Sequence, residues 1–331
     1  MKLSGLRILI TGGAGFIGSH LADKLLQLGN EVICYDNFDS FYLNKEKNIE
    51  HNLKNPKYKL IKADILDYNL LKIAMQKVDI TFHLAAQPGV RFSIENPEKT
   101  VRVNILGTVN VLKVALEQNV TKVIFASSSS VYGEPKHLPL DEKHPTNPIS
   151  PYGLSKLCSE KYCQLYHKLY RENIVVLRYF SVYGPRQRPD MAIHKFINLL
   201  VQSKHPEIYG DGFQSRDFTY IDDVVQGTIL AAEKDTAIGE VFNIGNGSTI
   251  TVNDLVELLI KLLQKEQVKP TRTKPKLGDV THTYASVEKA KFTLGYQPKT
   301  LLPDGLKRFA EWYLKTYEMC APSATKKILK E

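Results

Sequence analysis

The stretch Ile8-Leu9-Ile10-Thr11-Gly12-Gly13-Ala14-Gly15-Phe16-Ile17-Gly18-Ser19-His20-Leu21 decides the fold of this chain. It predicts a short apolar strand, a glycine turn and the start of an amphipathic helix. Gly12, Gly15 and Gly18 permit a tight turn, a close approach of the backbone to a pyrophosphate and close packing of the helix on the strand. The N–H groups and the dipole at the helix N-terminus then favour phosphate. An ordinary glycine-rich turn between a strand and a helix is the alternative.

The sequence beyond this stretch favours a dinucleotide site. A second apolar strand, expected at residues 31–35, is followed by Asp36. An acid roughly 20 residues beyond the glycines is placed to bind a ribose. No Lys-Ser or Lys-Thr pair follows the glycines, so the turn does not match a mononucleotide P-loop.

Strand and helix patterns alternate through the first half of the chain. We expect strands at residues 7–11, 31–35, 59–62, 79–84, 122–127 and 174–178, and helices at 16–28, 68–76, 98–118 and 152–170. This alternation predicts an α/β fold with a Rossmann-like, doubly wound parallel sheet. Ligands of such sheets bind outside the C-terminal ends of the strands.

The pattern changes after Gly184, where prolines and glycines divide the chain into short pieces. Helices are expected at residues 191–203, 222–234, 252–264 and 302–317. We therefore expect a dinucleotide-binding domain over residues 1–184 and a smaller C-terminal α/β substrate lobe over 185–331, with some chain crossing back to the first domain. The substrate would bind in the cleft between them.

Length, composition and cysteine usage limit the possible classes of protein. The chain has 331 residues, of which 43% are hydrophobic, as in soluble globular proteins. No apolar run reaches the roughly 20 residues that span a bilayer, and the N-terminus lacks a signal-peptide pattern. The four cysteines show neither metal nor disulfide spacing. We expect a cytoplasmic protein with no metal and no membrane partner.

The formal net charge of +9 favours anionic partners. Nucleic acid is one such partner, but the positive residues are scattered along the chain and cluster only in the tail, Lys326 to Lys330. A small phosphorylated ligand and a solvated basic surface account for this charge without nucleic acid.

Ser128, Tyr152 and Lys156 form the most informative constellation of polar residues. Tyr152 and Lys156 are four residues apart, so one face of a helix presents both. An ammonium beside a phenol, together with an oxidised nicotinamide, lowers the tyrosine pKa from about 10. Tyr152 could then remove a proton from a secondary alcohol while a hydride leaves the same carbon, with Ser128 hydrogen-bonded to the same oxygen. A surface tyrosine with a helical lysine partner is the alternative.

Together these features resemble the extended short-chain dehydrogenase/reductase family, specifically its nucleotide-sugar epimerases and dehydratases. The resemblance covers nearly the whole chain. The motifs that carry it are Thr11-Gly12-Gly13-Ala14-Gly15-Phe16-Ile17-Gly18, Asp36-Asn37, Ala63-Asp64, His83-Leu84-Ala85-Ala86, Ser127-Ser128-Ser129-Ser130-Val131-Tyr132-Gly133, Tyr152-Gly153-Leu154-Ser155-Lys156, Gly210-Asp211-Gly212 and Arg216-Asp217-Phe218.

The resemblance implies bound NAD. The charge of Asp36, on the adenosine ribose, would repel the 2′-phosphate of NADP. The cofactor-binding residues that the resemblance implies are Gly12, Gly15, Phe16, Ile17, Gly18, Asp36, Asn37, Asp64, Ile65, Leu84, Ala85, Ala86, Asn104, Tyr152 and Lys156. For Asn104, a buried amide that caps a helix is the alternative.

Three stretches resemble particular members of the family. Ser129 and Ser130 stand where its dehydratases carry an Asp-Glu pair and its UDP-glucuronate decarboxylases a Glu. Hydroxyls do not shuttle protons near neutral pH, so a lyase is disfavoured. Gln87-Pro88-Gly89-Val90-Arg91-Phe92-Ser93 and residues 178–191 resemble segments of UDP-glucuronate 4-epimerases. Within the second segment, Ser181 occupies the position where UDP-glucose 4-epimerases usually place Asn.

The implied substrate pocket is rich in hydroxyl groups. These could hold the carboxylate of a sugar acid, with Arg188 as a charge anchor, and keep the β-keto acid intermediate from losing carbon dioxide. The diphosphate would lie on Arg216 and Lys276, with Tyr209 and Asp279 lining the uridine. The full set of expected substrate-binding residues is Arg91, Ser128, Ser129, Ser130, Ser181, Arg188, Tyr209, Arg216, Lys276 and Asp279. Serines that cap the next turn, and a surface ion pair at Arg216, are the alternatives.

We therefore expect an NAD-dependent 4-epimerase of a UDP-sugar, with UDP-glucuronate and UDP-galacturonate as the favoured pair, in nucleotide-sugar metabolism for polysaccharide biosynthesis. A UDP-glucose or UDP-N-acetylglucosamine 4-epimerase, a UDP-glucuronate decarboxylase and a non-catalytic nucleotide-sugar- or RNA-binding relative remain as alternatives. Apolar residues on more than one face of the helices expected at 98–118 and 152–170 indicate a homodimer through a four-helix bundle. They include Val109, Leu112, Val114, Leu157, Tyr162 and Leu165.

Overall fold

Strands and helices alternate along the chain, and the computed structural model describes residues 2–320, which leaves the basic tail outside the described residues. The strands are β1 Arg7–Thr11, β2 Glu31–Asp36, β3 Tyr58–Lys62, β4 Ile80–His83, β5 Lys122–Ser128, β6 Ile174–Tyr179, β7 Ser181–Tyr183, β8 Glu207–Tyr209, β9 Ser215–Arg216, β10 Phe218–Tyr220, β11 Val241–Ile244, β12 Ile250–Thr251 and β13 Thr271–Thr273. The α-helices are α1 Phe16–Gln27, α2 Lys45–Ile49, α3 Tyr68–Ala74, α4 Val90–Glu95, α5 Pro97–Val101, α6 Gly107–Glu117, α7 Pro151–Tyr170, α8 Ala192–Val201, α9 Ile221–Glu233, α10 Val252–Leu262, α11 Glu288–Leu294 and α12 Leu302–Cys320. A π-helical turn, Arg102–Leu106, joins α5 to α6, and a 3₁₀ turn, Ser129–Val131, follows β5.

Seven parallel strands form the central sheet in the order β11-β6-β5-β4-β1-β2-β3. In β1, Ile8 and Ile10 pack in the hydrophobic core on one face, and Leu9 packs in the core on the other. A sheet covered on both faces buries every side chain of its inner strands, which explains the continuous apolar run of β1. The expected Rossmann-like fold is thereby confirmed.

The C-terminal ends of β1 and β4 mark the binding edge of the sheet. These neighbouring strands are separated in sequence by β2 and β3, so the strand order reverses between them. In open α/β sheets, ligands bind in the crevice beside such a reversal. The glycine turn after β1 and residues 84–87 after β4 both lie there.

The seventh strand was not predicted from the sequence. β11 comes from beyond residue 185 and pairs with β6, so that Val241 lies opposite Val176 and Ile244 opposite Tyr179. Contacts between the two parts of the chain include the His20 ring, 2.9 Å from the Pro185 carbonyl oxygen. The division into domains at Gly184 stays a prediction, and the central sheet draws strands from both sides of it.

Three two-stranded sheets, β10-β7, β12-β9 and β13-β8, are built from the second part of the chain together with β7 of the first part. The buried carboxylate of Asp217 connects them to the central sheet. It accepts hydrogen bonds from the backbone N–H groups of Asn246, Gly247 and Ala285 at 2.8 to 3.1 Å. One side chain thus fixes the loop after β11 and the segment that precedes α11.

The apolar residues expected at a dimer interface fall into two groups. Leu112 and Val114 are at most 1% exposed and pack in the core, so they lie on the face of the helix that covers the sheet. Tyr162 and Leu165 on α7 expose 39% and 45% of their surface. None of the helices within residues 2–320 is long and apolar enough to span a membrane.

Candidate active site

The glycine turn brings the start of α1 against the end of β4. Gly12 has a φ of +69°, and a Cβ atom there would lie 2.8 Å from the Ala85 nitrogen. At Gly18 a Cβ atom would collide with the Gly12 carbonyl oxygen. Side chains are therefore excluded where the helix meets the turn. The N–H groups of the first turn of α1, beginning at Phe16, have no partners within the helix and face outward at this edge.

Asp36 ends β2 at the expected distance from the glycines, but it is not a bare carboxylate. Its Oδ1 accepts hydrogen bonds from the Phe38 N–H (2.8 Å) and the Lys45 ammonium (2.6 Å), and its Oδ2 accepts one from the Ala14 N–H (3.1 Å). Both members of the ion pair are buried. Because Lys45 compensates its charge, repulsion by Asp36 alone is a weaker argument against NADP than the sequence suggested.

Beyond Asp36, a polar cluster closes the same end of the groove. The Asn37 amide donates to the Asp64 carboxylate at 2.8 Å, and Tyr35 donates to the Asp64 carbonyl oxygen at 2.8 Å. Ile65 is buried beneath this cluster.

A long groove joins these features to the end of β5. It is lined by every cofactor-binding residue that the resemblance implied, except Asn104: Gly12, Gly15, Phe16, Ile17, Gly18, Asp36, Asn37, Asp64, Ile65, Leu84, Ala85, Ala86, Tyr152 and Lys156. Lys45, Gln87 and Ser127 also line it and were not predicted. The groove thus runs from Asp64 to Tyr152.

Asn104 lies behind the groove wall. It sits in the π-helical turn and is 1% exposed. Its Oδ1 accepts from the Gln87 N–H (2.7 Å), and its Nδ2 donates to the Gln87 carbonyl oxygen (3.1 Å) and to Ser155 Oγ (2.9 Å). The Asn104 amide binds the Gln87 backbone and the Ser155 hydroxyl, as a buried structural amide would, and its expected contact with the cofactor stays a prediction. π-Helical turns often occur beside functional sites.

Ser128 and Tyr152 meet where β5 ends and α7 begins. Ser150 caps α7 by accepting a hydrogen bond from the Gly153 N–H at 3.1 Å, and Pro151 occupies the first turn. Burial raises the pKa of the Tyr152 phenol, whereas the charge of Arg188 and a hydrogen bond with Ser128 lower it. Arg188 thus adds a positive charge near the phenol that the sequence did not suggest, and the expected role of Lys156 beside the phenol stays a prediction.

Lys156 lies one turn further along α7 and is 3% exposed. Its ammonium donates to the Ala126 carbonyl oxygen at 2.7 Å and lies 5.0 Å from the centre of the Phe125 ring. Burial lowers the pKa of Lys156 to about 8. The ammonium therefore stands at the groove wall, anchored to the end of β5.

A second, smaller pocket adjoins the groove. Ser129, Ser130, Ser181, Arg216 and Asp279 line it, so five of the expected substrate-binding residues come together. Ser128 caps the 3₁₀ turn by accepting a hydrogen bond from the Ser130 N–H at 3.1 Å. Capping of the next turn was the alternative role that the sequence left open for the serines. Ser127 lines the groove and Ser129 the pocket, which places Ser128 between the two.

Three more of the expected substrate-binding residues, Tyr209, Arg91 and Lys276, lie next to one another. The Arg91 guanidinium lies 4.5 Å and the Lys276 ammonium 5.2 Å from the centre of the Tyr209 ring. Arg91 also forms an ion pair with Asp279 at 3.0 Å. Arg216 donates to the carbonyl oxygens of Ser215 and Thr281. Two cations therefore lie against one aromatic ring, and a third, Arg216, lines the adjoining pocket with Asp279, a composition that suits an anionic ligand with an aromatic base.

Arg188 is not among the residues that line the second pocket. It lines the groove, and its guanidinium forms a two-pronged pair with Asp190 through Nε (2.9 Å) and Nη2 (3.0 Å). Its charge nevertheless acts on the Tyr152 phenol. Its expected role as an anchor for a substrate carboxylate stays a prediction.

Sequence comparison assigns the family. A family model described as GDP-mannose 4,6 dehydratase matches residues 9–309, which include both the groove and the second pocket. The chain belongs to this family. The match confirms the resemblance to nucleotide-sugar enzymes that the motifs indicated.

Several known proteins are similar to the chain over nearly its whole length. A putative UDP-glucose 4-epimerase of Methanocaldococcus jannaschii is 41% identical over 314 residues, which cover 92% of this chain and 97% of the relative. A crystal structure of UDP-glucuronic acid 4-epimerase from Bacillus cereus, in complex with UDP-glucuronic acid and NAD, has 40% identity and a TM-score of 0.90, covering 94% of this chain and 100% of that one. UDP-glucose 4-epimerase of Thermotoga maritima with UDP-glucose has 37% identity and a TM-score of 0.88, with 95% and 100% covered.

Sequence reasoning overlooked two charged residues that lie within otherwise apolar segments and that signal a buried ion pair. Arg178 interrupts the apolar strand β6, and Glu160 lies on α7 one turn after Lys156. They form a buried ion pair at 2.7 Å, and Glu160 also accepts a hydrogen bond from Ser127. Within the described part of the chain, no group of three or more His, Cys, Asp or Glu side chains is arranged to hold a metal ion.

Proposed function

We propose that the protein is an NAD-dependent UDP-sugar 4-epimerase of the cytoplasm, with UDP-glucuronate and UDP-galacturonate as its substrate pair. The observation that carries the proposal is the position of Ser128 and Tyr152 between a groove shaped for a dinucleotide and a pocket lined by hydroxyls and a cation. The names of the similar proteins support the reaction, since they include epimerases of UDP-glucuronic acid and of UDP-glucose.

The groove fits NAD in its chemistry. Backbone N–H groups at the start of α1 suit the pyrophosphate, because the missing side chains at Gly12 and Gly18 allow a close approach. Asp36 suits the adenosine ribose, and the Asp64 end suits the adenine. When bound, NAD supplies the acceptor and donor of the C4 hydride. Lys156 would hold the nicotinamide ribose.

The chain's own contribution to the reaction is the movement of one proton. Tyr152 Oη would take the proton of the sugar 4-OH and return it after the keto sugar has turned in the pocket. Ser128, hydrogen-bonded to the phenol, would hold the same sugar oxygen. Arg188 would stabilise the phenolate, since its positive charge favours the deprotonated form.

The second pocket supports a sugar acid as substrate. Ser129, Ser130 and Ser181 offer neutral donors to the sugar carboxylate, and Arg216 offers a positive charge to the diphosphate. Donors that fix a carboxylate in one orientation oppose the alignment needed for loss of carbon dioxide from the 4-keto acid. The hydroxyls at positions 129 and 130 stand where a lyase of this family carries an acid, which supports epimerisation without decarboxylation.

A panel of UDP-sugars tests the proposal. We expect the enzyme to interconvert UDP-glucuronate and UDP-galacturonate and to release little UDP-pentose, as followed by chromatography of the products. UDP-pentose and carbon dioxide as main products would identify a decarboxylase. No turnover of any UDP-sugar would favour a non-catalytic binding protein.

A neutral-sugar 4-epimerase is the second candidate, and one observation favours it. Arg188 is paired with Asp190, so its charge is already compensated. The variant Arg188→Ala distinguishes the two candidates through kcat/KM. Loss of the positive charge near the Tyr152 phenol should slow both sugars, and we expect kcat/KM for UDP-glucuronate to fall further, since only this substrate is charged at C6. A preference of the wild type for UDP-glucose would support the neutral substrate, and an equal loss for both sugars would show that Arg188 acts only on the phenol.

A further inference from the structure

Gln87 presents a buried amide that the described residues leave unpaired. The residue is 3% exposed and lines the groove, yet its Nε2 has no hydrogen-bond partner among residues 2–320. Buried amide groups are almost always hydrogen-bonded, because an unsatisfied donor loses its interactions with water without compensation. A buried orphan donor at the wall of a binding groove therefore points to a partner on the ligand.

The position of Gln87 is fixed on the protein side. Its N–H donates to Asn104 Oδ1 at 2.7 Å, and its carbonyl oxygen accepts from Asn104 Nδ2 at 3.1 Å. The Asn104 side chain thus pairs with the Gln87 backbone as a neighbouring strand would. Loose placement of the segment does not explain the free amide.

A directional chain of hydrogen bonds holds Asn104 in turn. Thr108 donates its single proton to the Asn104 carbonyl oxygen at 2.5 Å, so it must accept from His83 Nε2, 3.0 Å away. His83 Nδ1 then accepts from Thr11 Oγ1 at 2.7 Å. The chain requires a neutral imidazole with its proton on Nε2. It ties the turn that positions Gln87 to the end of β1.

The Asn104 amide also shows where Gln87 lies along the groove. Asn104 Nδ2 also donates to Ser155 Oγ at 2.9 Å, and Ser155 Oγ donates to the Tyr152 carbonyl oxygen at 2.8 Å. Gln87 is therefore connected through one side chain to the helix that carries Tyr152 and Lys156. This is the end of the groove opposite Asp36 and Asp64.

We propose that the Gln87 side-chain amide donates a hydrogen bond to an oxygen atom in the nicotinamide half of the bound dinucleotide. The inference rests on the proposed function, which places NAD in this groove. It adds a cofactor contact from the segment after β4. Asn104, which the resemblance had placed on the cofactor, becomes a positioning residue for Gln87.

The variant Gln87→Met tests the proposal, because methionine preserves the length and shape of the side chain while it removes the donor. We expect the dissociation constant for NAD, measured by equilibrium dialysis on protein stripped and reloaded with NAD, to rise about two- to tenfold, as for loss of one neutral hydrogen bond. The melting temperature of the NAD-free protein should stay equal or rise, since the unpaired amide is gone. A purely structural role would instead lower the melting temperature of the NAD-free protein and leave NAD affinity unchanged.

Two further variants make the outcome specific. Gln87→Glu replaces the donor by a carboxylate that repels an acceptor oxygen, so it should bind NAD more weakly than Gln87→Met. Affinity of Gln87→Glu equal to that of the wild type would overturn the proposed donor role. Gln226 on α9 also has a buried amide oxygen without a partner within the described residues, and it lies away from the groove. Gln226→Met should leave the dissociation constant unchanged; an equal rise in this control would overturn the inference.

The wild type separates this inference from the proposed function. If wild-type protein binds no NAD, both are wrong. If it binds NAD and Gln87→Met binds it equally well, the proposed function stands and Gln87 is satisfied by water alone.

Discussion

Tyr152 is half-buried at the junction of the groove and the second pocket. We expect Tyr152→Phe to lower turnover by about 10²–10⁴-fold, the usual loss when a positioned acid or base is removed. Folding and NAD content should be unchanged, because the phenol oxygen contributes little packing volume. Steady-state kinetics and the NAD released on denaturation provide the two measurements. Near-normal activity of the variant would show that another group is the base.

The ion pair between Asp36 and Lys45 gives a second expectation at the scale of single residues. In Asp36→Asn the Lys45 ammonium loses its carboxylate partner and becomes available to a 2′-phosphate. We therefore expect the ratio of the dissociation constants of NADP and NAD to fall, with most of the change in NADP. Titration of NAD-free protein with each dinucleotide measures the ratio. An unchanged ratio would mean that Asp36 does not reach the ribose.

His83 should make stability depend on pH. Burial, together with the charge of Lys156, lowers the pKa of His83 to about 3 in the folded protein, against about 6.5 in the unfolded chain. Between these values the unfolded state binds more protons, so the free energy of unfolding falls as the pH falls from 6.5 towards 3. One histidine contributes at most about 1.4 kcal/mol per pH unit.

The variant His83→Gln tests this dependence. Its amide keeps one donor for Thr108 and one acceptor for Thr11 but does not titrate. Denaturant unfolding between pH 4 and 6.5 should show a shallower slope for the variant than for the wild type. His20→Gln is a positive control, because burial also lowers the pKa of His20, to about 4. This variant should likewise show a shallower slope than the wild type. Identical slopes for wild type and His83→Gln would contradict the proposed neutral imidazole.

Single residues also show where prediction from sequence stops. Gly12, Gly18 and Asp36 were recognisable because local backbone geometry fixes their residue types. The partners of Asn104 were not, because Gln87 and Ser155 lie on segments that meet Asn104 only after folding. Arg188 pairs instead with Asp190, two residues along the same loop. No spacing rule in the sequence distinguishes an amide that binds a ligand from one that binds the backbone.

At the scale of elements, a buried ion pair couples α7 to the sheet. Arg178 in β6 donates through Nε (2.9 Å) and Nη2 (2.7 Å) to Glu160 in α7, and both side chains are at most 6% exposed. Arg178→Met would leave the Glu160 carboxylate buried and unpaired. We expect a loss of about 3–5 kcal/mol in the free energy of unfolding.

The double variant Glu160→Gln with Arg178→Met should lose less than Arg178→Met alone, since no unpaired charge remains. Lys291→Ala, which removes an exposed ion pair with Glu288, serves as the control and should change stability by less than about 1 kcal/mol. Denaturant midpoints measure all three variants. A double variant less stable than Arg178→Met would show that packing, and not charge, sets the loss.

The elements themselves were predictable to different degrees. The expected strand at residues 7–11 coincides with β1. The helix expected at 152–170 corresponds to α7, which begins one residue earlier, at Pro151. The helix expected at 98–118 is interrupted by the π-helical turn at residues 102–106. Asn104, in the middle of this turn, is held by hydrogen bonds to Gln87 and Ser155 on two other segments, which explains the change in pitch. Apolar periodicity reports which face is buried, but it does not report such local changes in helical pitch.

At the scale of the whole molecule, exposed apolar residues on α7 predict a homodimer. Leu154 and Leu165 expose 53% and 45% of their surface, and their spacing of about three helical turns puts them on one face. Exposed apolar residues on the neighbouring helical segments are Val101 and Leu106. Burial of these side chains against a second copy would complete the helical bundle that the sequence indicated.

Sedimentation equilibrium tests the dimer. We expect the wild type to be dimeric at micromolar concentration, and the double variant Leu154→Glu with Leu165→Glu to be monomeric, because buried carboxylates would face each other across the two-fold axis. Phe292→Glu on α11 changes a side chain that is 95% exposed and should leave the dimer intact. A monomeric wild type would rule the interface out.

The strand β11 has a consequence for biosynthesis. Until residues 241–244 have left the ribosome, β6 is paired on one side only and its other edge is open. An open strand edge in a nascent chain can pair with other polypeptides. The central sheet therefore stays incomplete until β11, which is translated much later than β6, can pair with it. Expression of residues 1–184 alone would yield a sheet with a permanently exposed β6 edge, and chimaeras that exchange the C-terminal half must carry a strand equivalent to Val241–Ile244.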